Sequence, residues 1–167
     1  MQFSVGDKVV HPYHGPGQIV SVVRRELLDG SKRYYVIDIP GQELTVHIPE
    51  DSAQALGVRL AISESGLPRV LRTLRARPRP LPEDYKVRQE QICAELKTRQ
   101  ALKLARVVRD LTWHRERSHL TRKDSEYLRE GWDLLAAEMA LVSGDDVSAA
   151  SQLIEATMND AVGRVVH

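Results

Sequence analysis

The sequence predicts an α+β chain, in which a small antiparallel β-barrel of the SH3 or Tudor type precedes a bundle of about five α-helices. Two features indicate this class. The first part of the chain alternates short β-branched runs with turn residues, and the apolar spacing then changes to three and four. We expect the β module to span residues 1–59 and the helical module to span residues 60–167.

The predicted strands are short, rich in β-branched residues and closely spaced. Four runs fit the pattern: Lys8–His11, Gln18–Val23, Arg33–Ile39 and Leu44–Ile48. Turn signals separate them, namely Gly15-Pro16-Gly17, Asp29-Gly30 and Pro40-Gly41, and Pro49 ends the last run. So many short strands in one small module are typical of a barrel that binds a partner.

The predicted helices follow after Gly57, where turn signals become rare. The first begins between Ser63 and Pro68 and ends before the proline-rich stretch at 78–82, because proline cannot continue a helix. The next helices run from about Glu83 to Lys97, from about Gln100 to Arg117, and from a capping box at Thr121 and Asp124. A fifth follows Ser143–Asp146. The residues expected to face the core are Leu67, Val70, Leu71, Leu74, Ile92, Leu96, Leu104, Val107, Val108, Leu111, Leu128, Trp132, Leu135, Met139, Val142, Val147, Leu153, Ile154 and Met158 or Ala161.

The net charge of +1 conceals an uneven distribution. Residues 1–59 carry six Lys/Arg and seven Asp/Glu, net −1, whereas residues 60–123 carry sixteen and seven, net +9. Residues 124–167 carry two and nine, net −7. A basic middle followed by an acidic tail indicates a polyanion-binding face, with solvated helix surfaces as the alternative.

Several other classes of protein are disfavoured. No apolar run reaches the ~18 residues that cross a bilayer, and the first residues lack a signal-peptide layout, so we expect a cytoplasmic protein without membrane contact. Cys93 is the only cysteine, which excludes an internal disulfide. No P-loop, GxSxG or HExxH motif is present, so we expect neither an enzyme nor a cofactor. A metal site formed by His11, His14 and His47 remains a minor alternative.

The stretch RPRPLPEDYKVRQEQ places an aromatic residue where the proline-rich segment becomes a charged helix. Tyr85 stands beside Arg79, Lys86 and Arg88, which indicates a site where the ring stacks on a base while the cations hold phosphates. Helical spacing also puts Tyr85 on the stripe of Ile92, which would make it a core residue. Both interpretations stay open from the residues alone.

The sequence resembles the CarD/CdnL transcription factors of bacteria, whose N-terminal module is similar to the polymerase-binding domain of the transcription-repair coupling factor. The resemblance covers nearly the whole chain. Its marks are FSVGDKVVHPYHGPGQIVSV at the start, LTVHIPEDSAQALGVR at the junction, and LARVVRDL followed by LTRKDSEYLREGWDLLAAEMALV in the bundle.

The resemblance implies two interfaces. The β module would dock on the RNA polymerase β subunit through the strand edge from Leu44 to Ile48, with contacts from Arg25, Leu44, Thr45, Val46 and His47. At position 47 the family often has arginine, so this contact would be weaker or sensitive to pH. The helical module would contact promoter DNA at the upstream edge of the melted region, weakly and with little sequence preference, and would stabilise the open complex. We expect a monomer.

The resemblance also implies a departure at position 85, where the family usually places a tryptophan as a minor-groove wedge. Tyr85 has a smaller ring and a hydroxyl that needs a partner, so its insertion should be shallower. Trp113 and Trp132 are expected to pack in the bundle and do not replace it. The alternative is an interaction module that docks on polymerase without a DNA wedge.

Overall fold

The computed structural model describes residues 2–165, and side chains up to residue 160. The chain forms two compact units, one ending at Ala61 and one beginning at Ile62. In the part of the chain that is described, no helix has both the length and the apolar character required to cross a bilayer. The order of elements is a sheet followed by five α-helices, as the predicted α+β class requires.

The first unit is a five-stranded antiparallel sheet. Its strands are β1 (Lys8–His11), β2 (Gly15–Leu27), β3 (Gly30–Ile39), β4 (Leu44–Pro49) and β5 (Arg59–Leu60), paired in the order β4-β3-β2-β1-β5. The hairpin of β2 and β3 is longer than the apolar runs predicted, because its exposed end lacks a core side to pattern it. Within residues 2–165, β4 and β5 are the two edge strands.

The core of the sheet unit lies on one face, as strand alternation requires. Its buried residues include Val9, Ile19, Tyr35, Ile37 and Ile48. Gly17 is needed where β2 passes β3, because a Cβ there would lie 2.6 Å from the carbonyl oxygen of Asp38. Side chains on the opposite face of the strands lie outside this core.

The second unit contains α1 (Leu67–Arg75), α2 (Tyr85–Lys97), α3 (Ala101–Arg117), α4 (Arg122–Ser143) and α5 (Val147–Val165). The predicted capping box is confirmed: the Thr121 side chain accepts from the Asp124 amide, and the Asp124 side chain accepts from the Thr121 amide. Asp84 caps α2 by accepting from the Lys86 amide at 2.8 Å. The second helix thus begins at Tyr85, two positions later than the sequence predicted.

The core of the helical unit contains most of the residues that the spacing predicted, including Val70, Ile92, Leu104 and Leu135. Two predictions on α5 are wrong, since Val147 and Leu153 are exposed. Helix α5 packs on α4 and α1 through Ala150, Ile154 and Met158 instead. The side chain of Ala161 lies outside the described residues.

The two tryptophans differ in their packing. Trp132 is half-buried against the core and donates its indole N–H to the Ser151 hydroxyl at 2.8 Å, joining α4 to α5. Trp113 is also half-buried, and the guanidinium carbon of Arg117 lies 4.6 Å from the centre of its ring. Neither tryptophan is among the large hydrophobic residues that are exposed.

Candidate polymerase and nucleic-acid interfaces

The outer face of the sheet unit carries a cluster of one arginine, one tyrosine and one histidine. Arg25 lies on β2, Tyr34 on β3 and His47 on β4, and the strand register places the row of Tyr34 between the rows of the other two. One guanidinium nitrogen of Arg25 lies 2.6 Å from Nδ1 of His47, and its central carbon lies 5.2 Å from the centre of the Tyr34 ring. We call these three residues the Arg25 cluster.

The Arg25 cluster leaves its positive charge uncompensated. Arginine is a donor only, so Nδ1 of His47 accepts in this contact. Tyr34 contributes the face of its ring, which attracts a cation without cancelling its charge. Sequence reasoning missed Tyr34, although strand register is the signal that could have placed it beside the other two.

The edge strand β4 presents its backbone beside this cluster. Thr45 and His47 are exposed, whereas Leu44 is half-buried and Val46 packs against the core of the sheet. Because β4 pairs only with β3 in the described sheet, its outer row of N–H and C=O groups has no strand partner there. This edge can accept a strand from another protein.

Tyr85 lies at the start of α2 with 51% of its surface exposed. The core interpretation of Tyr85 is therefore wrong, since the apolar stripe of α2 begins further along the helix with Ile92. Lys86 is exposed too, and its ammonium nitrogen lies 6.0 Å from the centre of the Tyr85 ring. An exposed aromatic with an exposed cation beside it is an arrangement that suits nucleic acid.

Arg88 is buried, with 3% of its surface exposed, and cannot reach a phosphate. Its guanidinium donates to both carboxylate oxygens of Asp124, at 3.1 and 2.7 Å, and to the carbonyl oxygens of Pro82 and Glu83. The prediction that Arg88 contacts DNA is wrong for this reason. Spacing along the sequence could not reveal a partner that lies 36 residues away.

Arg79 does not stand beside Tyr85 as the sequence suggested. Its side chain donates to Asp110 and to Glu95, both at 3.0 Å, and its amide also donates to Asp110. Glu95 follows Tyr85 by ten residues, which is about 15 Å along a helix axis. The proline-rich segment thus runs back along α2, and half of the Arg79 side chain remains exposed at the far end.

The start of α4 lies next to the start of α2. The Arg88–Asp124 pair and a 2.9 Å hydrogen bond from Gln89 to the Thr121 hydroxyl join them. Exposed Arg122 and Lys123 therefore come close to the first turns of α2, although both also contact Glu126. The sequence did not indicate these cations, because nothing local shows that the two helix starts meet.

His11, His14 and His47 are not gathered as a set of metal ligands. In the part of the chain that is described, no three His, Cys, Asp or Glu residues are placed to hold an ion. The Nδ1 atom of His11 accepts from the amides of Tyr13 and His14, and the two imidazole rings lie 4.7 Å apart. Burial, and then the charge of His14, lower the pKa of His11.

The first unit thus presents an open sheet edge beside an exposed arginine, and the second presents an exposed aromatic beside a lysine. The family model described as the CarD-like/TRCF RID domain, the RNA polymerase-interacting domain, matches residues 3–61, and the model for the CarD C-terminal domain matches residues 69–155. The chain belongs to the CarD family of transcription regulators, and its sheet unit is the RNA polymerase-interacting domain of that family.

Individual proteins are also similar to this chain. The putative transcription factor YdeB of Bacillus subtilis (strain 168) is 27% identical over 146 residues, which cover 85% of this chain and 93% of YdeB. A solution structure of the 72-residue N-terminal domain of Myxococcus xanthus CarD is 27% identical with a TM-score of 0.31, and the match covers 35% of this chain and 79% of that domain.

Proposed function

We propose that the sheet unit docks on the β subunit of RNA polymerase and that the helical unit stabilises the open promoter complex by inserting Tyr85 at the upstream edge of the melted DNA. The exposure of Tyr85 at the first residue of α2 carries this proposal. A buried ring could not reach a base. Exposed Glu83 and Asp84 precede the ring, so Lys86 is the neighbouring cation that would offset their repulsion of the phosphates.

Docking would use the edge of β4 and the Arg25 cluster. A strand of the β subunit would pair with the backbone from Leu44 to His47, which supplies affinity without requiring particular side chains. Arg25, held outward by Tyr34 and His47, would face a carboxylate of the partner. Family membership and the open edge support this choice of surface.

The DNA contact would combine one aromatic with cations at two distances. Tyr85 would stack on or partly enter a base step of the minor groove, while Lys86 swings from the ring to a nearby phosphate. Arg79 is held beside Glu95, which lies about 15 Å along the axis of α2 from Tyr85. It would touch the DNA backbone about four base pairs from the Tyr85 contact, because each base pair adds about 3.4 Å. Arg88 takes no part in phosphate binding in this account.

Docking and DNA contact depend on each other through local concentration. Once the sheet unit holds the polymerase, the helical unit meets promoter DNA at high effective concentration, so its own affinity need not be large. It shifts melting only as far as it binds opened DNA better than closed DNA. Weak, sequence-tolerant and salt-sensitive DNA binding follows from this arrangement.

The lifetime of the open complex tests the proposal. With purified polymerase and a competitor that traps released enzyme, Tyr85→Ala should shorten the lifetime by about five- to 150-fold, since stacking one base contributes about 1–3 kcal/mol. Binding of the variant to polymerase alone should match the wild type. An unchanged lifetime would leave the chain as a docking module without a DNA wedge.

A further inference from the structure

Arg88 fixes the backbone that carries Tyr85. It lies three residues after Tyr85, and one of its terminal nitrogens donates to the carbonyl oxygens of Pro82 and Glu83, at 3.1 and 3.2 Å. These residues directly precede Asp84, the N-cap of α2. We call residues 82–86 the Tyr85 turn. The guanidinium thus joins the entry to the Tyr85 turn to the helix that follows it.

Asp124 holds Arg88 in turn from the start of α4. Its carboxylate is fully buried and accepts from two nitrogens of Arg88, and from the amide and hydroxyl of Thr121 at 2.9 Å each. Burial alone would raise the pKa of Asp124, but the hydrogen bonds from Arg88 and Thr121 outweigh it, and the pKa lies below its ordinary range. The pair therefore stays charged at neutral pH.

The position of this ion pair requires an explanation beyond stability. Replacing a buried ion pair by apolar residues of similar volume is often neutral or stabilising, because desolvation opposes the attraction between the charges. In this pair Arg88 also satisfies two carbonyls of the Tyr85 turn, which carries the exposed aromatic. Its placement favours a role in setting the geometry of that turn.

We propose that Arg88, held by Asp124, is a positioning residue for Tyr85, which fixes the Tyr85 turn so that the ring stands ordered and exposed before DNA arrives. This inference rests on the proposed contact between Tyr85 and promoter DNA. The first N–H groups of a helix lack partners within the helix, so an unsupported first turn frays. Binding would then have to order the turn, which weakens it by about two- to twelvefold for one immobilised side chain.

Arg88→Lys separates positioning from phosphate binding. Lysine keeps the charge, but a single ammonium cannot bridge both oxygens of Asp124 and also reach two carbonyls. We expect the lifetime of the open complex to fall about two- to twelvefold, while the salt dependence of DNA binding keeps its slope. A phosphate contact predicts the reverse, with Lys nearly as active as Arg and a shallower slope only after Arg88→Met.

A double variant shows whether Arg88 acts through Tyr85. Added to Tyr85→Ala, Arg88→Lys should cause no further loss of lifetime, because the group that it positions is gone. An equal loss with and without Tyr85 would overturn the proposal, as would a fully active Arg88→Lys. If Tyr85→Ala alone has no effect, the proposed function fails instead, so the two failures are distinguishable.

A measurement on the unaltered chain covers the case in which Arg88→Lys does not fold. The amides of Lys86 in α2 and Ala149 in α5 both donate to a capping aspartate, at 2.8 and 2.7 Å. The α2 cap has the additional support of the Arg88–Asp124 pair. Corrected for intrinsic rates, hydrogen exchange should be several-fold slower at Lys86 than at Ala149, and equal rates would contradict a fixed Tyr85 turn.

Discussion

The sequence predicts both Arg25 on the sheet unit and Arg88 on the helical unit as interface residues, yet their surroundings differ in kind. Arg25 is exposed, and its contacts within the described residues are a histidine nitrogen and a tyrosine ring. Arg88 is enclosed, faces a buried carboxylate and satisfies two carbonyls. The difference teaches that burial of the guanidinium among its own protein's acceptors, rather than its place in the sequence, decides whether an arginine can reach a partner.

The two regions also differ in which group would contact the partner. On the outer face of the sheet, the groups beside Arg25 would contact the partner themselves. At the start of α2, the ring that would contact DNA is Tyr85, while Arg88 lies below and supports the backbone. One region therefore presents its charge, and the other uses charge to hold an aromatic in place.

The two arginines should differ most in how far their removal lowers the free energy of unfolding. Arg88→Ala leaves a buried carboxylate without its partner, so the free energy of unfolding should fall by about 3–5 kcal/mol. Arg25→Ala removes an exposed side chain and should change it by no more than about 0.5 kcal/mol. Urea unfolding of both variants checks the prediction. Similar small effects of the two substitutions would show that the Arg88–Asp124 pair does not stabilise the helical unit.

Reversing the exposed charge should act on docking instead. Arg25→Glu places a negative charge where a carboxylate of the partner is expected, and polymerase affinity should fall by about ten- to 100-fold. The neighbouring Arg24→Glu is a matched control, since Arg24 is also exposed but points away from the Arg25 cluster. The affinity of each variant is measured on immobilised polymerase. An equal loss of affinity in both variants would contradict docking through the Arg25 cluster.

The exposed lysine beside Tyr85 should affect salt dependence. Lys86→Gln removes one phosphate contact, so the slope of log affinity against log salt should become shallower by about 1, with a loss of severalfold in affinity at low salt. Arg88→Lys should leave that slope unchanged. Binding to a fluorescent promoter fragment across a salt series distinguishes them, and an unchanged slope for Lys86→Gln would remove Lys86 from the site.

The smallest expected effect is a pH dependence of the sheet unit. The pKa of His11 is lowered by burial and by the nearby charge of His14, so the unfolded chain takes up a proton near pH 6.5 that the folded chain does not. Stability contributed by His11 is therefore complete above pH 6.5 and falls as the pH drops below it, until the folded pKa is passed.

Urea unfolding followed by the NMR signals of Ile19 and Ile37 tests this at pH 7.5 and pH 5.5. His11→Asn supplies a control, because its carbonyl oxygen can still accept from the amides of Tyr13 and His14. The control should lose the part of the pH dependence that His11 contributes. An identical pH dependence in both proteins would show that this part is negligible.

The sequence predicted the α+β class and the order of the elements because periodicity and turn residues are local signals. The Thr121 capping box is an example, since both partners lie within one helical turn. The fate of Arg88 is the opposite case, because its burial depends on Asp124 from another helix. Arg79 likewise lies away from Tyr85, unlike the prediction, because its side chain bonds to Asp110 and Glu95. Local spacing carries no information on such tertiary partners.

A comparison of two side chains at the start of α2 tests the central claim most directly. Tyr85 and Val87 are exposed to similar extents, 51% and 45%, but only Tyr85 offers an aromatic face. In open-complex lifetimes with polymerase, Tyr85→Ala should shorten the lifetime at least about fivefold, whereas surface Val87→Ala should change it by less than about twofold. Equal lifetimes for the two variants would contradict the account.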